Sequence, residues 1–309
     1  MAVVALLLSG CGRSGLPNSG GRSYEVLVTG SVQEAVDSTA QLLRSIEAEG
    51  LPQQEASFDV SVIVAEGLSQ GTRYARNIVL VTTDSTQLRK TQLRPLHDVY
   101  AHPQTIVRVE APSVEQLLRD LPELRQTIGD ELLRAEMNNA IANLREHHSA
   151  RALHLTDSLF GCRLWVPADL TKAVMGHDFL WMSSDGATAM QSVCVYRVAA
   201  DTLTPMRMLD LRDSIMRINI PCERPGAYMT TVRPSVIVRR QPNGGTETMG
   251  MRGLWATEGD GMGGPFVSMS KLVGDSLLCV EAFVYAPSAS KRNMMRRLEA
   301  CLYTLKTGN

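Results

Sequence analysis

The chain lacks the features that mark several classes of protein. It carries 31 Lys and Arg residues against 32 Asp and Glu residues, a formal net charge of -1 over 309 residues. The basic excess typical of nucleic-acid-binding proteins is therefore absent, and we expect no nucleic-acid partner. No apolar run approaches the roughly 20 residues that a membrane-spanning helix needs. The six cysteines contain no C-x-x-C pair, and we expect no metal and no cofactor.

What the chain does have is the pattern of a lipid-anchor signal. The apolar run Ala2–Leu8 is too short to span a bilayer and ends in small residues before Cys11, which is typical of a secretory signal and its cleavage site. Leu8-Ser9-Gly10-Cys11 resembles a bacterial lipobox, in which the cysteine thiol becomes acylated. The basic residues that usually precede such a run are absent, which leaves the true start site open. A buried N-terminal strand is the alternative.

We therefore predict a signal peptide over residues 1–10 and a lipid anchor, including palmitate, on Cys11. Residues 11–23, rich in Gly, Ser, Pro and Asn, are predicted to form a flexible tether. The residues after Cys11 lack the acidic cluster that resembles a surface-export signal. We expect attachment to the outer membrane with the protein facing the periplasm.

The other cysteines are expected to be buried free thiols. Most of them lie in apolar strand-like or amphipathic helical patterns, and their odd number argues against a complete disulfide framework. A disulfide stays open as an alternative, because the envelope permits one. These cysteines are Cys162, Cys194, Cys222, Cys279 and Cys301.

Hydrophobic periodicity predicts an α+β fold in three parts. Residues 24–112 form a small N-terminal α/β unit. Residues 113–160 form connecting helices, which Pro122 breaks or kinks. Residues 161–309 form an antiparallel sheet covered by helices on one face, with a hairpin turn at Asn243-Gly244.

One motif matches a serine-hydrolase pattern. Gly67-Leu-Ser69-Gln-Gly71 follows a predicted strand, and Asp98 and His102 come later in the order of a catalytic triad. A nucleophile elbow needs a helix directly after the serine, and the sequence predicts another strand there. We therefore favour a loop with chance glycines.

Two further segments supply candidate binding residues. The segment 97–104 is the densest polar and aromatic cluster, and its His97, Asp98 and His102 could ligate a metal or transfer protons. We favour a structured surface loop, because the spacing is not a standard zinc pattern. The glycine turn 259–264 is favoured as a wide turn between strands, although its glycines would let a ligand approach the backbone closely. The candidate binding residues are His97, Asp98, Tyr100, His102, Arg252, Trp255 and Asp260.

The last predicted helix is basic on one side. Lys291, Arg292, Arg296 and Arg297 are close together in the sequence. A solvated face is the default interpretation, and contact with membrane headgroups is the alternative.

The chain as a whole resembles a lipoprotein family of the Bacteroidota that is classed as a domain of unknown function. The similarity covers nearly everything after the lipobox. It is carried by stretches that include Tyr24–Val28, Tyr100–Gln104, Arg134–Asn138, Asp178–Ser183, Arg212–Met216, Tyr228–Thr231, Arg252–Trp255, Met262–Ser268 and Phe283–Pro287. The resemblance implies an envelope location and brings no catalytic residues.

Two functions follow as hypotheses. The first is a lipid-anchored envelope protein that binds an envelope protein or a small-molecule ligand, or that has a structural role. The second is a periplasmic hydrolase or metal-dependent enzyme that uses Ser69 or the cluster of His97, Asp98 and His102. We favour binding over catalysis.

Overall fold

The computed structural model describes residues 15–186, 188–199, 204–243 and 246–307. The described chain forms two compact units. Residues 15–44 and 58–132 form unit 1, and residues 45–57 together with the chain from residue 133 form unit 2. The predicted signal peptide, the lipidation residue Cys11 and the start of the predicted tether lie outside the described residues. The later part of that tether differs from a free linker, because His102 donates its backbone N–H to the Pro17 carbonyl at 2.9 Å.

Unit 1 is built on a five-stranded sheet in the order β2-β1-β3-β5-β4. Strands β1, β2, β3 and β5 are parallel, and β4 pairs with β5 in the antiparallel direction. Helix α1, Gln33–Arg44, packs on β1 and β2. The central strands are buried on both faces, as their continuous apolar runs require. The strands are β1 Glu25–Gly30, β2 Asp59–Val64, β3 Asn77–Thr83, β4 Gln92–His97 and β5 Thr105–Ala111.

Helix α2, Val114–His147, continues without a break at Pro122. The predicted break is wrong, and burial explains why. A proline inside a helix costs about 3 kcal/mol relative to alanine. Leu117, Leu121 and Ile128 lie on the buried side of the same helix, and each contributes about 1.5–3 kcal/mol by burial. The free energy gained by burying these side chains therefore exceeds the cost of the proline in the helix.

Unit 2 contains a seven-stranded antiparallel sheet in the order β10-β11-β12-β13-β9-β8-β7. Strands β6 and β14 form a separate two-stranded sheet. Unit 2 also contains three complete helices. The strands are β6 Cys162–Arg163, β7 Lys172–Gly176, β8 Phe179–Ser183, β9 Met190–Ala199, β10 Tyr228–Asn243, β11 Thr246–Glu258, β12 Gly263–Val273, β13 Ser276–Tyr285 and β14 Lys306–Thr307. The helices are α3 Ala150–Phe160, α4 Pro205–Asn219 and α5 Arg292–Leu302. Strands β10 and β11 pair in the antiparallel direction as the predicted hairpin requires, and Gly244 of the predicted turn lies outside the described residues.

Both faces of this sheet are covered. In β9, Val193 and Val195 belong to the hydrophobic cluster that includes α5, while Cys194 and Tyr196 belong to the cluster that includes α4. Successive side chains of a strand point to opposite faces, so the two helices lie on opposite sides of the sheet. The α+β class with an antiparallel C-terminal sheet is confirmed. The covering on one face only is corrected, because α4 occupies the second face.

The glycine turn 259–264 joins β11 to β12 and packs closely against protein atoms. A Cβ atom added to Gly264 would lie 2.0 Å from the Val284 carbonyl oxygen and 3.1 Å from Nε1 of Trp255. A Cβ atom added to Gly263 would lie 2.9 Å from the Trp255 carbonyl oxygen. These two glycines are therefore explained by close packing between strands.

This packing predicts that Gly264→Ala destabilises the protein strongly. The new methyl group forces the backbones of β12 and β13 apart, and we expect a loss of about 3 kcal/mol in the free energy of unfolding. Urea unfolding monitored by circular dichroism measures it. Gly250→Ala is the matched control, because a Cβ atom there meets its nearest atom at 3.5 Å in the same sheet. Equal stability of the two variants would contradict the assignment.

Candidate functional site

The loop between β4 and β5 brings two of the predicted site residues together. Nδ1 of His102 lies 2.9 Å from Oδ2 of Asp98. The other carboxylate oxygen of Asp98 accepts the backbone N–H of Gln104 at 2.9 Å. Asp98 has a φ of +52°, a left-handed conformation that Asp tolerates better than most residues. The loop therefore presents an organised Asp–His pair.

Gln104 holds this loop in place, and the sequence reasoning did not select it. Its side chain is buried, and its Nε2 donates to the carbonyls of Arg73 at 2.6 Å and Ala75 at 2.8 Å. Its Oε1 accepts the backbone N–H of Tyr100 at 2.9 Å. An amide that bridges three backbone groups is a structural anchor, and it leaves the Tyr100 side chain partly exposed at the surface.

His97 does not join the Asp98–His102 pair. Its Nε2 lies 3.5 Å from a carboxylate oxygen of Glu131, and its Nδ1 lies 3.5 Å from the Thr105 hydroxyl. Across the described parts of the chain, no group of three or more His, Cys, Asp and Glu side chains could hold a metal ion.

Ser69 has no histidine partner in the described structure. Its hydroxyl lies 3.1 Å from the Thr72 hydroxyl, and its carbonyl accepts the Arg73 N–H at 3.0 Å. These bonds close a turn, and β3 follows where an elbow would require a helix. The Gly67–Gly71 motif is therefore a surface turn.

The structure separates Arg252, Trp255 and Asp260. Arg252 forms an ion pair with Glu299; burial opposes its charge, but the carboxylate outweighs burial and raises the pKa of Arg252. Trp255 is 2% exposed and packs edge-on against Phe283 at 5.6 Å between ring centroids. Arg252 and Trp255 differ by three positions in one strand, so they point to opposite faces of the sheet.

Asp260 takes part in the folding of its own turn. It accepts the hydroxyl of Thr257, which in turn accepts the Met262 N–H at 2.8 Å. Its other carboxylate oxygen is buried and has no hydrogen-bond partner. The described hydrogen bonds of Asp260 therefore stabilise its own turn.

The most distinctive polar group of unit 2 is a buried ion pair that sequence reasoning did not identify. The guanidinium of Arg212 in α4 donates from Nε, at 3.0 Å, and from Nη2, at 2.7 Å, to the carboxylate of Glu281 in β13. Both side chains are 0% exposed. The third nitrogen donates to the Thr231 hydroxyl at 2.7 Å, and the guanidinium carbon lies 4.0 Å above the Phe266 ring centroid.

A signal for this pair was present in the sequence. Met208, Arg212 and Met216 follow one another at intervals of four, which places Arg212 in the middle of the buried side of α4. Glu281 likewise interrupts an otherwise apolar run in β13. A charged residue in each of two apolar patterns is typical of a buried pair.

The electrostatics of the pair follow from its burial. Burial opposes the charge of Arg212, but Glu281 outweighs this effect and raises the pKa of the guanidinium. Burial also raises the pKa of Glu281, while Arg212 acts against that rise. With its hydrogen bonds made inside the protein, the pair is suited to positioning α4 on the sheet.

The basic face of α5 contacts protein instead of solvent. The carboxylate of Glu55 accepts the backbone N–H groups of Lys291 at 2.8 Å and Arg292 at 3.1 Å. Arg296 donates to the Ser57 carbonyl at 2.7 Å, and Arg297 pairs with Asp169. The expected solvated face is therefore wrong for Lys291, Arg292 and Arg296. The Glu55 carboxylate caps the start of the helix, and the side chains of Arg292 and Arg296 bind the segment 45–57. The headgroup alternative loses its support for the same reason.

Unit 1 contains an open cleft of about 720 Å³ beside β1 and β2. None of the predicted site residues lines it. Glu25, Asp59 and Arg76 contribute charged side chains, and Tyr74 contributes a ring. The neighbouring strand β2 is an edge of the sheet.

Residues 149–304 match the family model described as a domain of unknown function, DUF4837. This match covers just over half of the chain. The chain belongs to the DUF4837 family. In this DUF4837 protein, residues 19–145 match a second model, the domain of unknown function DUF8532. The first match starts at Ser149, the N-cap of α3, and the second ends near the end of α2.

No curated protein matches this DUF4837 member. Among solved structures, it is similar to the solution structure of cyanobacterial PsbP (CyanoP) from Synechocystis sp. PCC 6803. The identity is 8%, the alignment covers 48% of this chain and 87% of that chain, and the TM-score is 0.28. A TM-score of this size carries no argument about the fold or the function.

The buried pair predicts a large stability effect that is not additive. Arg212→Met leaves the Glu281 carboxylate buried without a partner, and we expect a loss of about 3–5 kcal/mol in the free energy of unfolding. Glu281→Met removes the other partner and should cost a similar amount, while the double variant should recover most of the loss. Arg239→Met is the control, because the ion pair of Arg239 with Glu49 is exposed on both sides and should contribute about 1 kcal/mol or less. Urea unfolding measures all four variants, and strictly additive losses would contradict the pairing.

The thiols predict selective alkylation. Burial raises the pKa of Cys279 to about 12 and of Cys162 to about 11, and the thiolate is the reactive form. Cys222 is the least buried of the described cysteines. Iodoacetamide at pH 8 should therefore modify Cys222 at least about tenfold faster than the other thiols, as read by peptide mass spectrometry.

The denatured protein is the control for this experiment. There all five described cysteines, which are free in the structure, should react at similar rates. Native labelling of Cys279 as fast as Cys222 would contradict the burial.

Proposed function

We propose that this DUF4837 protein is a lipid-anchored protein of the bacterial envelope with a binding or structural role. In this proposal an acyl chain on Cys11 attaches it to the outer membrane, and the protein faces the periplasm. The observation that carries the proposal is the motif Leu8-Ser9-Gly10-Cys11 at the end of a short apolar run. A cysteine thiol is the nucleophile that such acylation requires.

The free energy of burying acyl chains in a membrane supports stable anchoring. Each buried methylene of an acyl chain contributes about 0.8 kcal/mol, and two or more chains hold a protein on a membrane where a single chain is marginal. In the described chain, no helix combines the length and the apolar character needed to cross a membrane. The lipid is therefore the attachment on which this proposal relies.

The geometry of the candidate residues supports binding over catalysis. The Asp98–His102 pair makes no described hydrogen bond to a serine, threonine or cysteine side chain, and Ser69 bonds to Thr72. Nucleophilic catalysis needs the serine and its base within hydrogen-bond reach of one another. The pair is exposed, with 59% of the His102 side chain and 40% of the Asp98 side chain accessible. Together with Tyr100, it forms a rigid polar surface for an envelope protein or a small-molecule ligand.

The anchoring is tested by replacing the acylated thiol. In a bacterial host fed an alkyne analogue of palmitate, the unaltered chain should incorporate the label and sediment with membranes. Cys11→Ser should abolish the labelling and move the protein to the soluble fraction. Cys222→Ser is the matched control, because it removes another accessible thiol and should leave both properties unchanged. Labelling that survives Cys11→Ser would overturn the proposal, as would an unaltered chain without label.

A further inference from the structure

Strand β2 turns one row of its backbone groups to an open sheet edge. Among the described strands it pairs with β1 alone, in the parallel direction. The Asp59 N–H donates to the Tyr24 carbonyl at 3.0 Å, and the Ala65 N–H donates to the Gly30 carbonyl at 2.9 Å. Inward and outward residues alternate along a paired strand. The N–H and C=O groups of 60, 62 and 64 therefore point away from β1, toward the open edge.

This edge is apolar and almost unprotected. The strand reads Asp-Val-Ser-Val-Ile-Val, with no Lys, Arg or Pro. Ile63 is 44% exposed and Val64 is 39% exposed. Of the described side chains, Arg44 alone bonds to the outward groups, through Nη2 to the Val60 carbonyl at 3.1 Å. Unpaired backbone groups beside exposed β-branched side chains form a template for another strand.

The other sheet edges carry protection that β2 lacks. Strand β4, at the opposite edge of the same sheet, contains Arg94 and Pro95. In unit 2, edge strand β10 contains Pro234 and has an irregular register between Val232 and Ile237. Edge strand β7 has five residues and begins at Lys172. Proline, bulges, short strands and charges are the usual means of preventing edge pairing.

We propose that β2 pairs with β2 of a second copy of this chain, in the antiparallel direction and about a two-fold axis at Val62. In this register Val62 faces the second copy's Val62, and Val60 faces the second copy's Val64. These residues are the outward ones on both chains, so each facing pair exchanges two hydrogen bonds once Arg44 releases the Val60 carbonyl. The five-stranded sheets of the two copies become one continuous sheet.

The side chains of β2 are complementary to themselves in this register. The three valines form one row on a single face, and cross-strand pairs of β-branched residues stabilise a sheet. Asp59 faces Ala65 beyond the end of the strand, so no carboxylates oppose one another. Arg44, at Val60, comes close to Glu66 of the second copy, which lies two residues beyond Val64. An isologous interface requires this kind of match, because one surface supplies both sides.

Disulfide trapping tests the register in the full chain with Cys11→Ser and Cys222→Ser as background, so that neither of these thiols can form the cross-link. Cα atoms of a hydrogen-bonded antiparallel pair lie about 5.5 Å apart, within the range that a disulfide spans. Val62→Cys should therefore cross-link to itself on mild oxidation. Val64→Cys is the matched control, because its own counterpart is displaced by four residues, about 14 Å along the strand at 3.4 Å per residue. A non-reducing gel reads the dimer band, and because this background cannot be acylated at residue 11, failure here is distinct from failure of anchoring.

The expected result is at least about tenfold more dimer for Val62→Cys than for Val64→Cys, since only the former pair meets the distance limit. Equal or absent cross-linking would overturn the proposal.

A second variant tests it without oxidation. Val62→Pro removes an N–H that faces the open edge and spares the ladder with β1. With Cys11→Ser as background, sedimentation should change from dimer to monomer with the circular dichroism spectrum unchanged. A monomer before the change would overturn the proposal and leave the edge for a strand of a different protein.

Discussion

The ion pair between Arg212 and Glu281 is the interaction on which unit 2 depends. Removing two charges from water costs several kcal/mol per ion, and only close geometry with further hydrogen bonds offsets that cost. Here the geometry is met when α4, β10, β12 and β13 are all in place, because Thr231 and Phe266 complete the surroundings of the guanidinium. A shift of α4 by one turn would leave a carboxylate without a partner. The pair therefore selects one position of the helix, while the apolar contacts supply most of the driving force.

A charged group also satisfies backbone hydrogen bonds on the opposite face of that sheet. There α5 begins without a side-chain cap of its own, and the Glu55 carboxylate supplies the missing acceptors. A carboxylate at a helix N-terminus is favoured both by the free N–H groups and by the helix dipole. The sequence predicts that the basic residues of α5 face solvent, but most of them form contacts within the protein. The polar groups left exposed, such as the Asp98–His102 pair, are therefore the better candidates for external contacts.

The fold was largely predictable from local patterns, whereas pairing across the chain was not. Hydrophobic periodicity predicted the antiparallel sheet of unit 2, and α4 starts at the typical N-cap and first-turn pair Thr204-Pro205. The second helical layer was missed although Cys194 and Tyr196 alternate with valines in a strand that is apolar on both sides, a pattern typical of a strand covered on both faces. Asp98 and His102 were found because they lie four residues apart in one loop. The Arg212–Glu281 and Glu55–Lys291 contacts join residues far apart in the chain, and periodicity holds no information about such partners. Arg252 and Trp255 were grouped wrongly, although a strand period of two already separates them.

The cap on α5 also imposes an order on the folding of the chain while it is synthesised. Glu55 leaves the ribosome long before its partner, since 236 residues separate it from Lys291. Segment 45–57 must therefore wait, with its final contacts unmade, until nearly the whole chain has been translated. A fragment limited to residues 149–304, the part that matches the DUF4837 family, would contain α5 but lack the carboxylate that caps it. The family match and the compact unit are thus different pieces of this chain, because unit 2 also includes residues 45–57, residues 133–148 and the chain after residue 304.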